Sequence, residues 1–262
     1  MLGDFMINPP SGIRIFGREI YFYGILIALG FILAILYCSR HAEDFGIRPD
    51  DLYDMLLWLI PLSIAGARLY YVVFRWDWYR LHLREIPAVW EGGLAVYGGI
   101  LAGVLVGFLF CRRRKIPFPA MLDLMSFGIL IGQILGRWGN FFNREAFGAE
   151  TDLFCRMGLT ASDGTTVWVH PTFLYESLWN LIGLLILIFY VKKHRRYPGQ
   201  CALFYFFWYG IGRFWIEGLR SDSLMIAYTG LRVSQLLSLM LALGSGIILF
   251  INRRKTWQTT KT

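Results

Sequence analysis

Residues Ile20 to Ser39 read IYFYGILIALGFILAILYCS, a run without one charged side chain. About 20 mostly apolar residues are what a single helical crossing of a bilayer core requires. Gly92 to Cys111 and Val233 to Asn252 are equally free of charge. Four more windows are as long and carry one or two polar exceptions: Leu52 to Phe74 with Asp54 and Arg68, Ile116 to Gly136 with Asp123, His170 to Val191 with Glu176, and Tyr197 to Ile216 with Arg213. The expected fold is therefore all-α, a polytopic membrane protein of about seven transmembrane helices in a single integral membrane domain, residues 1–262. No small-residue cleavage site follows the first window and six more come after it, so it is expected to stay as a span.

The composition agrees. Of 262 residues 56% are apolar and 17% charged, against about 25% charged in ordinary soluble domains. A net charge of +8 raises nucleic acid as a partner, but the basic residues do not form one soluble face. They cluster at Arg112 to Lys115, Lys192 to Arg196 and Arg253 to Lys255, after the third, fifth and seventh windows. An odd number of spans puts all three clusters on one side, and Lys/Arg excess marks the cytoplasmic side. The amino terminus is then outside, the carboxyl terminus inside, and the outer loops are 1–19, 75–91, 137–169 and 217–232. The longest, 137–169, is the expected extracytoplasmic head region.

Cys38, Cys111, Cys155 and Cys201 share no metal-ligand spacing and define no disulfide framework. His41, His82, His170 and His194 are scattered, so no metal and no cofactor is expected. Gly99, Gly103 and Gly107 recur every four residues in the third span, as do Gly128, Gly132 and Gly136 in the fourth. Such ladders let backbones approach closely in lipid, which places these two helices at the tight centre of the bundle. Pro61 marks a kink in the second span.

Ionisable residues at membrane depth are where function is sought first. Four places qualify. Gly136 to Gly148, GRWGNFFNREAFG, gathers two arginines, two asparagines and a glutamate at the end of the fourth span. An arginine fork can hold a phosphate in two hydrogen bonds, with asparagine amides for hydroxyls; the alternative is an interfacial loop of snorkelling arginines. Arg213, Glu217 and Arg220 share one helical face. An ion pair accounts for part of that set, and a second cation is left for an anionic ligand. In His170 to Glu176, HPTFLYE, Glu176 reads as a base or as the partner of an inward arginine. Glu91 to Gly99, EGGLAVYGG, either admits a substrate and presents Tyr97 to it, or is a flexible lead-in; Tyr23 has the same ambiguity. Asp54, Arg68 and Asp123 read as structural partners or helix-end groups.

The run Gly136 to Gly148 matches G-R-x-G-N-F-x-N-x-E-x-x-G, the signature of bacterial prolipoprotein diacylglyceryl transferases, at every fixed position. Tyr23-Gly24, the Gly-Gly-x-x-x-x-Gly of 92–98, the His-Pro-x-x-x-Tyr-Glu of 170–176 and the Tyr-Gly-x-x-Arg-x-x-x-Glu-x-x-Arg of 209–220 also resemble that family, so the likeness covers nearly the whole chain. The resemblance implies transfer of a diacylglyceryl group from phosphatidylglycerol to the lipobox cysteine of a prolipoprotein signal peptide, with glycerol 1-phosphate leaving, at the outer face of the bacterial cytoplasmic (inner) membrane. It implies phosphatidylglycerol binding for Arg137, important signature positions at Asn140, Glu145 and Gly148, an essential Arg213 and an important Tyr23. The phosphatidylglycerol contacts expected on this basis are Arg137, Asn140, Tyr23, Gly148, Arg220 and His170, and the expected catalytic set is Arg137, Arg213, Glu145, Glu217 and Tyr97. In the roles expected, Arg137 and Arg213 clamp the phosphate, Glu145 and Glu217 orient them, and Tyr97 hydrogen-bonds the headgroup or the thiol.

One departure stands out. Many family members carry histidine where this chain has Tyr97, and a tyrosine with an ordinary pKa near 10 is a poor base at neutral pH. Two rivals come from other classes. A solute transporter would show internal repeats, and a membrane scaffold would act through its basic loops.

Overall fold

Each of the seven apolar windows becomes a helix, with its ends moved by local chemistry. The computed structural model describes residues 9–160, 164–220 and 232–253. Most of the expected outer loop 217–232 lies outside them, as do Arg254 and Lys255. A hairpin of β1 (Gly12–Ile15) and β2 (Arg18–Tyr21) leads into α1 (Phe22–His41), followed by α2 (Pro49–Phe74), the single turn α3 (Trp76–Tyr79), α4 (Val96–Arg114) and α5 (Phe118–Asn143). A second hairpin, β3 (Met157–Thr160) with β4 (Thr166–Val169), precedes α6 (Thr172–Ile186), which runs on as a π-helical turn over Leu187–Val191. Then come α7 (Gln200–Glu217) and α8 (Val233–Asn252). The two short hairpins are additions to the all-α expectation.

Among the described residues six helices are long and apolar enough to cross a membrane, one fewer than expected. The exception is α7, whose 18 residues reach roughly 27 Å at about 1.5 Å each. Its polar and indole-rich face lowers its hydropathy, because Arg213 and Glu217 serve the interior. Two boundaries also moved. Gly92 and Gly93 have positive φ, which a right-handed helix cannot include, so α4 starts after them, at Val96. Downstream, α5 continues past Gly136 to Asn143. Arg137 and Asn140 are therefore helical, and the loop expected from 137 begins at Arg144.

The chain divides into two compact units, residues 39–121 and residues 1–38 with 122–262. In the first, α2 and α4 pack through small residues. A Cβ at Gly99 would stand 3.4 Å from the Ser63 carbonyl oxygen, and one at Gly103 3.0 Å from Ser63 Oγ. Arg68 is buried and donates to four carbonyls, those of Glu85 (2.6 Å), Ile86 (2.8 Å), Gly92 (2.7 Å) and Gly93 (3.3 Å), tying the 80–93 segment to α2. The third span is not a buried centre: 17% of its apolar window is buried, against 44% for α5.

In the second unit the α5 ladder meets α1, with Gly128 against Ala34 and Cys38 and Gly132 against Gly30. Two tryptophans lock α6 to α7. Trp179 and Trp208 stack at 4.3 Å, and each indole N–H donates to the other's carbonyl, at 2.9 and 2.8 Å. They lie against Gly212 and Gly183 respectively, where any Cβ would overlap the ring. Asp123, fully buried on α5, accepts from the backbone N–H of Gly199 (2.7 Å) and Ala202 (2.9 Å) and meets Arg195 at 3.2 Å. It thereby caps α7. All four cysteines are free thiols.

Candidate active site

The site grows from one buried carboxylate. Thr172, Phe173, Glu176, Ser177, Asn180, Gly183 and Leu184 form the buried face of α6, the three-four spacing of a single helical stripe. Glu176 thus points inward, where an unpaired charge is costly. Its Oε2 lies 2.5 Å from Arg137 Nη2 on α5, and its Oε1 accepts from Arg213 Nη1 on α7 at 2.9 Å. Arg213 Nη2 is 2.6 Å from Glu217 Oε2 one turn later, and Ser234 Oγ at the start of α8 donates to Glu217 Oε1 at 2.6 Å. Ion pairs thus link α5, α6 and α7, and a hydroxyl hydrogen bond carries the chain on to α8. The side chains of Glu176 and Glu217 are 6% and 5% exposed, those of Arg137 and Arg213 22% and 18%. A cavity of about 10 Å³, water-sized, lies beside the pair and is lined by Glu176, Tyr209 and Arg213 among others.

Two expectations are corrected. Arg137 takes its carboxylate from Glu176, whereas the exposed Glu145 accepts from Asn140 Nδ2 (2.9 Å) and Asn143 Nδ2 (3.4 Å). The cause is the extra length of α5, which keeps Arg137 at the level of α6 and leaves Glu145 beyond the helix end. Nor does the set Arg213, Glu217 and Arg220 stand as two cations for one anion, since Arg213 also meets Glu176. Of the two readings open for Glu176, the geometry is that of an arginine partner.

Around this core the remaining residues gather in two ways. Asn140 Oδ1 is 3.5 Å from Arg137 Nη1, joining Glu145 to the same polar chain. Tyr23 on α1 lies flat enough on α5 that a Cβ at Gly139 would stand 2.7 Å from its ring. Gly148 is threaded between two strands of backbone. It bridges Arg220, its N–H donates to the His170 carbonyl at 2.9 Å, and a Cβ there would come within 2.6 Å of His170 Cβ and 2.8 Å of the Leu219 oxygen. Gly148, His170 and Arg220 are therefore neighbours through main chain. Tyr97 belongs to the other unit, in the first turn of α4, and is 57% exposed.

Sequence reasoning missed several supports. Trp138 Nε1 donates to Ser177 Oγ (3.2 Å), which donates to the Ile134 carbonyl (3.1 Å), fixing α5 against α6 beside the Arg137–Glu176 pair. Thr172 Oγ1 donates to the Ala146 carbonyl, and Ser234 holds Glu217. Serines and threonines inside apolar runs carry no pattern of their own; only their place on the stripe of Glu176 points to them. Above, Met157, Val169 and Phe173 pack with Trp138, Phe141 and Phe147, so the β3–β4 hairpin rests on the signature helix. Among the described residues no three His, Cys, Asp or Glu side chains gather as metal ligands.

Apolar helices around paired arginines that share a buried carboxylate define a polytopic membrane protein with a charged network buried among its helices. A family model described as prolipoprotein diacylglyceryl transferase matches residues 10–251. Relatives named phosphatidylglycerol-prolipoprotein diacylglyceryl transferase include one from Streptococcus pneumoniae, 46% identical over 94% of this chain and 95% of its own. Others are from Finegoldia magna, 45% identical over 92% and 94%, and Lactiplantibacillus plantarum, 42% identical over 94% and 89%. The chain belongs to the prolipoprotein diacylglyceryl transferase family.

Proposed function

We propose that this protein transfers the diacylglyceryl group of phosphatidylglycerol to the cysteine thiol of a prolipoprotein, with the reaction centred on Arg137 and Arg213. The observation that carries this reading is the sharing of Glu176 by the two arginines, which holds both guanidinium groups at one point before substrate arrives. Each offers five N–H donors in a rigid fork, more than its carboxylate partners occupy. Such preorganised donors gain most when negative charge develops in a water-poor site.

The bookkeeping of the reaction fits. The thiol, ordinarily of pKa about 8.5, becomes the nucleophile as thiolate. Its sulfur forms a bond to the glycerol carbon that carries the phosphate, the carbon–oxygen bond breaks, and the electron pair leaves with glycerol 1-phosphate. A phosphodiester with one negative charge becomes a monoester that gains another, next to Arg137 and Arg213; the thiol proton passes to solvent or to the departing phosphate. Tyr97 is assigned to hydrogen-bond the headgroup or the thiol, and Asn140, Tyr23, Gly148, His170 and Arg220 to shape the phosphatidylglycerol site. The protein lies in the bacterial cytoplasmic membrane with its amino terminus outside and this site toward the outer face. Arg137 lies in the last two turns of α5 and Arg213 near the end of α7, opposite to Lys192–Arg196, which supports that orientation. The phospholipid then reaches the site from the bilayer, and the signal peptide as a membrane-spanning segment.

The test is label transfer from glycerol-labelled phosphatidylglycerol to a lipobox peptide by purified protein, beside Arg213→Ala and a Cys→Ser peptide. Loss of transfer in both controls is expected. Transfer to the serine peptide would overturn the assignment of acceptor.

A further inference from the structure

The 39–121 unit holds a second candidate binding site, at the opposite end of its helices from Tyr97. A cleft of about 510 Å³ opens between α2 and α4, lined by Trp58, Leu62, Val106, Leu109, Phe110, Arg113 and Arg114. That volume lies within the range of sites that hold small ligands. Its walls follow helical spacing: Trp58 and Leu62 are one turn apart on α2, and Val106, Leu109, Phe110 and Arg113 make one stripe of α4. Trp58 and Leu109 are 62% and 53% exposed, so the apolar wall is open to its surroundings.

The two arginines at the rim differ. Arg114 is committed. Its Nη2 lies 2.6 Å from Asp54 Oδ2 and its Nη1 3.4 Å from Asp51 Oδ1, with the guanidinium over the Phe110 ring. Arg113 is exposed and has no hydrogen bond or ion pair among the described residues. Arg112 and Lys115 flank it, and the acids facing this end of α4, Asp51 and Asp54, are both taken up by Arg114. An apolar cleft with one uncompensated cation at its mouth matches an amphiphile with an apolar chain and an anionic head.

We propose that this cleft binds one anionic phospholipid, an acyl chain lying along Trp58, Leu62, Val106 and Leu109 and the phosphate on Arg113. Basic pockets between membrane helices hold anionic headgroups by this chemistry. The site is separate from that of Arg137 and does not rest on the transfer reaction. A lipid shell alone would wet the apolar wall without preference for charge; the uncommitted arginine beside a committed one supplies that preference.

The test is native mass spectrometry of the purified full chain, counting phospholipids retained from mixed micelles of phosphatidylglycerol and phosphatidylcholine. Wild type is expected to keep one more phosphatidylglycerol than either Arg113→Gln, which removes the charge, or Leu109→Trp, which fills the cleft. Arg137→Ala, altered at the other site, should still keep that molecule, and Arg113→Gln should transfer diacylglyceryl groups in detergent at the wild-type rate. Equal retention by wild type, Arg113→Gln and Leu109→Trp would overturn the proposal, as would equal retention of phosphatidylcholine. Displacement by millimolar inorganic phosphate would contradict a lipid occupant, because the apolar wall would then contribute nothing. A mass shift to dimer on lipid removal would assign the cleft to a second copy instead.

Discussion

Glu176 is the residue on which both arginines depend. Glu176→Gln keeps its shape and removes its charge, leaving Arg137 without its carboxylate and Arg213 with Glu217 alone. Breaking a buried pair from one side costs about 3–5 kcal/mol. The expected outcome is a lower midpoint of thermal unfolding in detergent together with lost transfer; an unchanged midpoint would show the pair to be solvated and dispensable. Tyr97→Phe removes one hydroxyl and is expected to slow transfer by more than about tenfold, an effect near 1.4 kcal/mol. A rate within tenfold of wild type would remove Tyr97 from the reaction and leave the arginines untouched. At this scale the sequence announced the ionisable residues, because charge inside an apolar window is conspicuous. Helical spacing also announced the Arg213–Glu217 pair, but not the partner of Arg137. Glu145 lay near Arg137 along the chain, and only the fold brings Glu176 nearer, from a helix more than thirty residues away.

Helices carry the next level of the account. The site is aligned by α5, α6 and α7, and the last two are keyed by the reciprocal fit of Trp179 on Gly212 and Trp208 on Gly183. Gly183→Ala and Gly212→Ala each place a methyl inside an indole. Overpacking of this kind costs about 1–3 kcal/mol, and the Arg213–Glu176 distance should change with it. Both variants are expected to melt earlier and to transfer more slowly, with Gly212→Ala the worse because it adjoins Arg213. As a control, Gly244→Ala lies on α8 with no atom within 4 Å of the added Cβ and should behave as wild type. At the far end of α7, Asp123→Ala removes the cap and the carboxylate that meets Arg195 at 3.2 Å, for a loss of about 0.5–2 kcal/mol from the cap alone; thermal unfolding measures it. Hydropathy made the helices legible to within a few residues, since lipid rewards unbroken apolar runs. It was least informative where polarity is spent inside. The polar end of α5 was read as loop, and α7, read as a span, is a helix less apolar than the other six. Each glycine ladder proved to serve its own neighbour, because spacing marks a close approach without naming the helix that makes it.

For the whole molecule, the proposed orientation is open to chemical labelling. Glu150 is exposed near the site end and Lys193 is exposed in the basic cluster that follows α6. In a Cys155→Ser background, Glu150→Cys is expected to react with a membrane-impermeant maleimide added outside intact spheroplasts, and Lys193→Cys only after lysis. The reverse pattern would turn the protein over and put the arginines at the wrong face for an exported precursor. That orientation came from basic clusters alone, whose physics is long-ranged enough to be read without a structure.

The most direct test of the central claim compares transfer rates for wild type, Arg137→Ala, Arg213→Ala and the double variant, with folding of each verified by thermal unfolding. Two guanidinium groups acting on one phosphate predict losses of about 10²-fold or more for each single variant. The double variant should lose less than the product of the two, since they act as a unit. A folded single variant that keeps its rate within about tenfold would contradict the account, and the shared carboxylate would then be an architectural feature of the helices rather than the centre of a reaction.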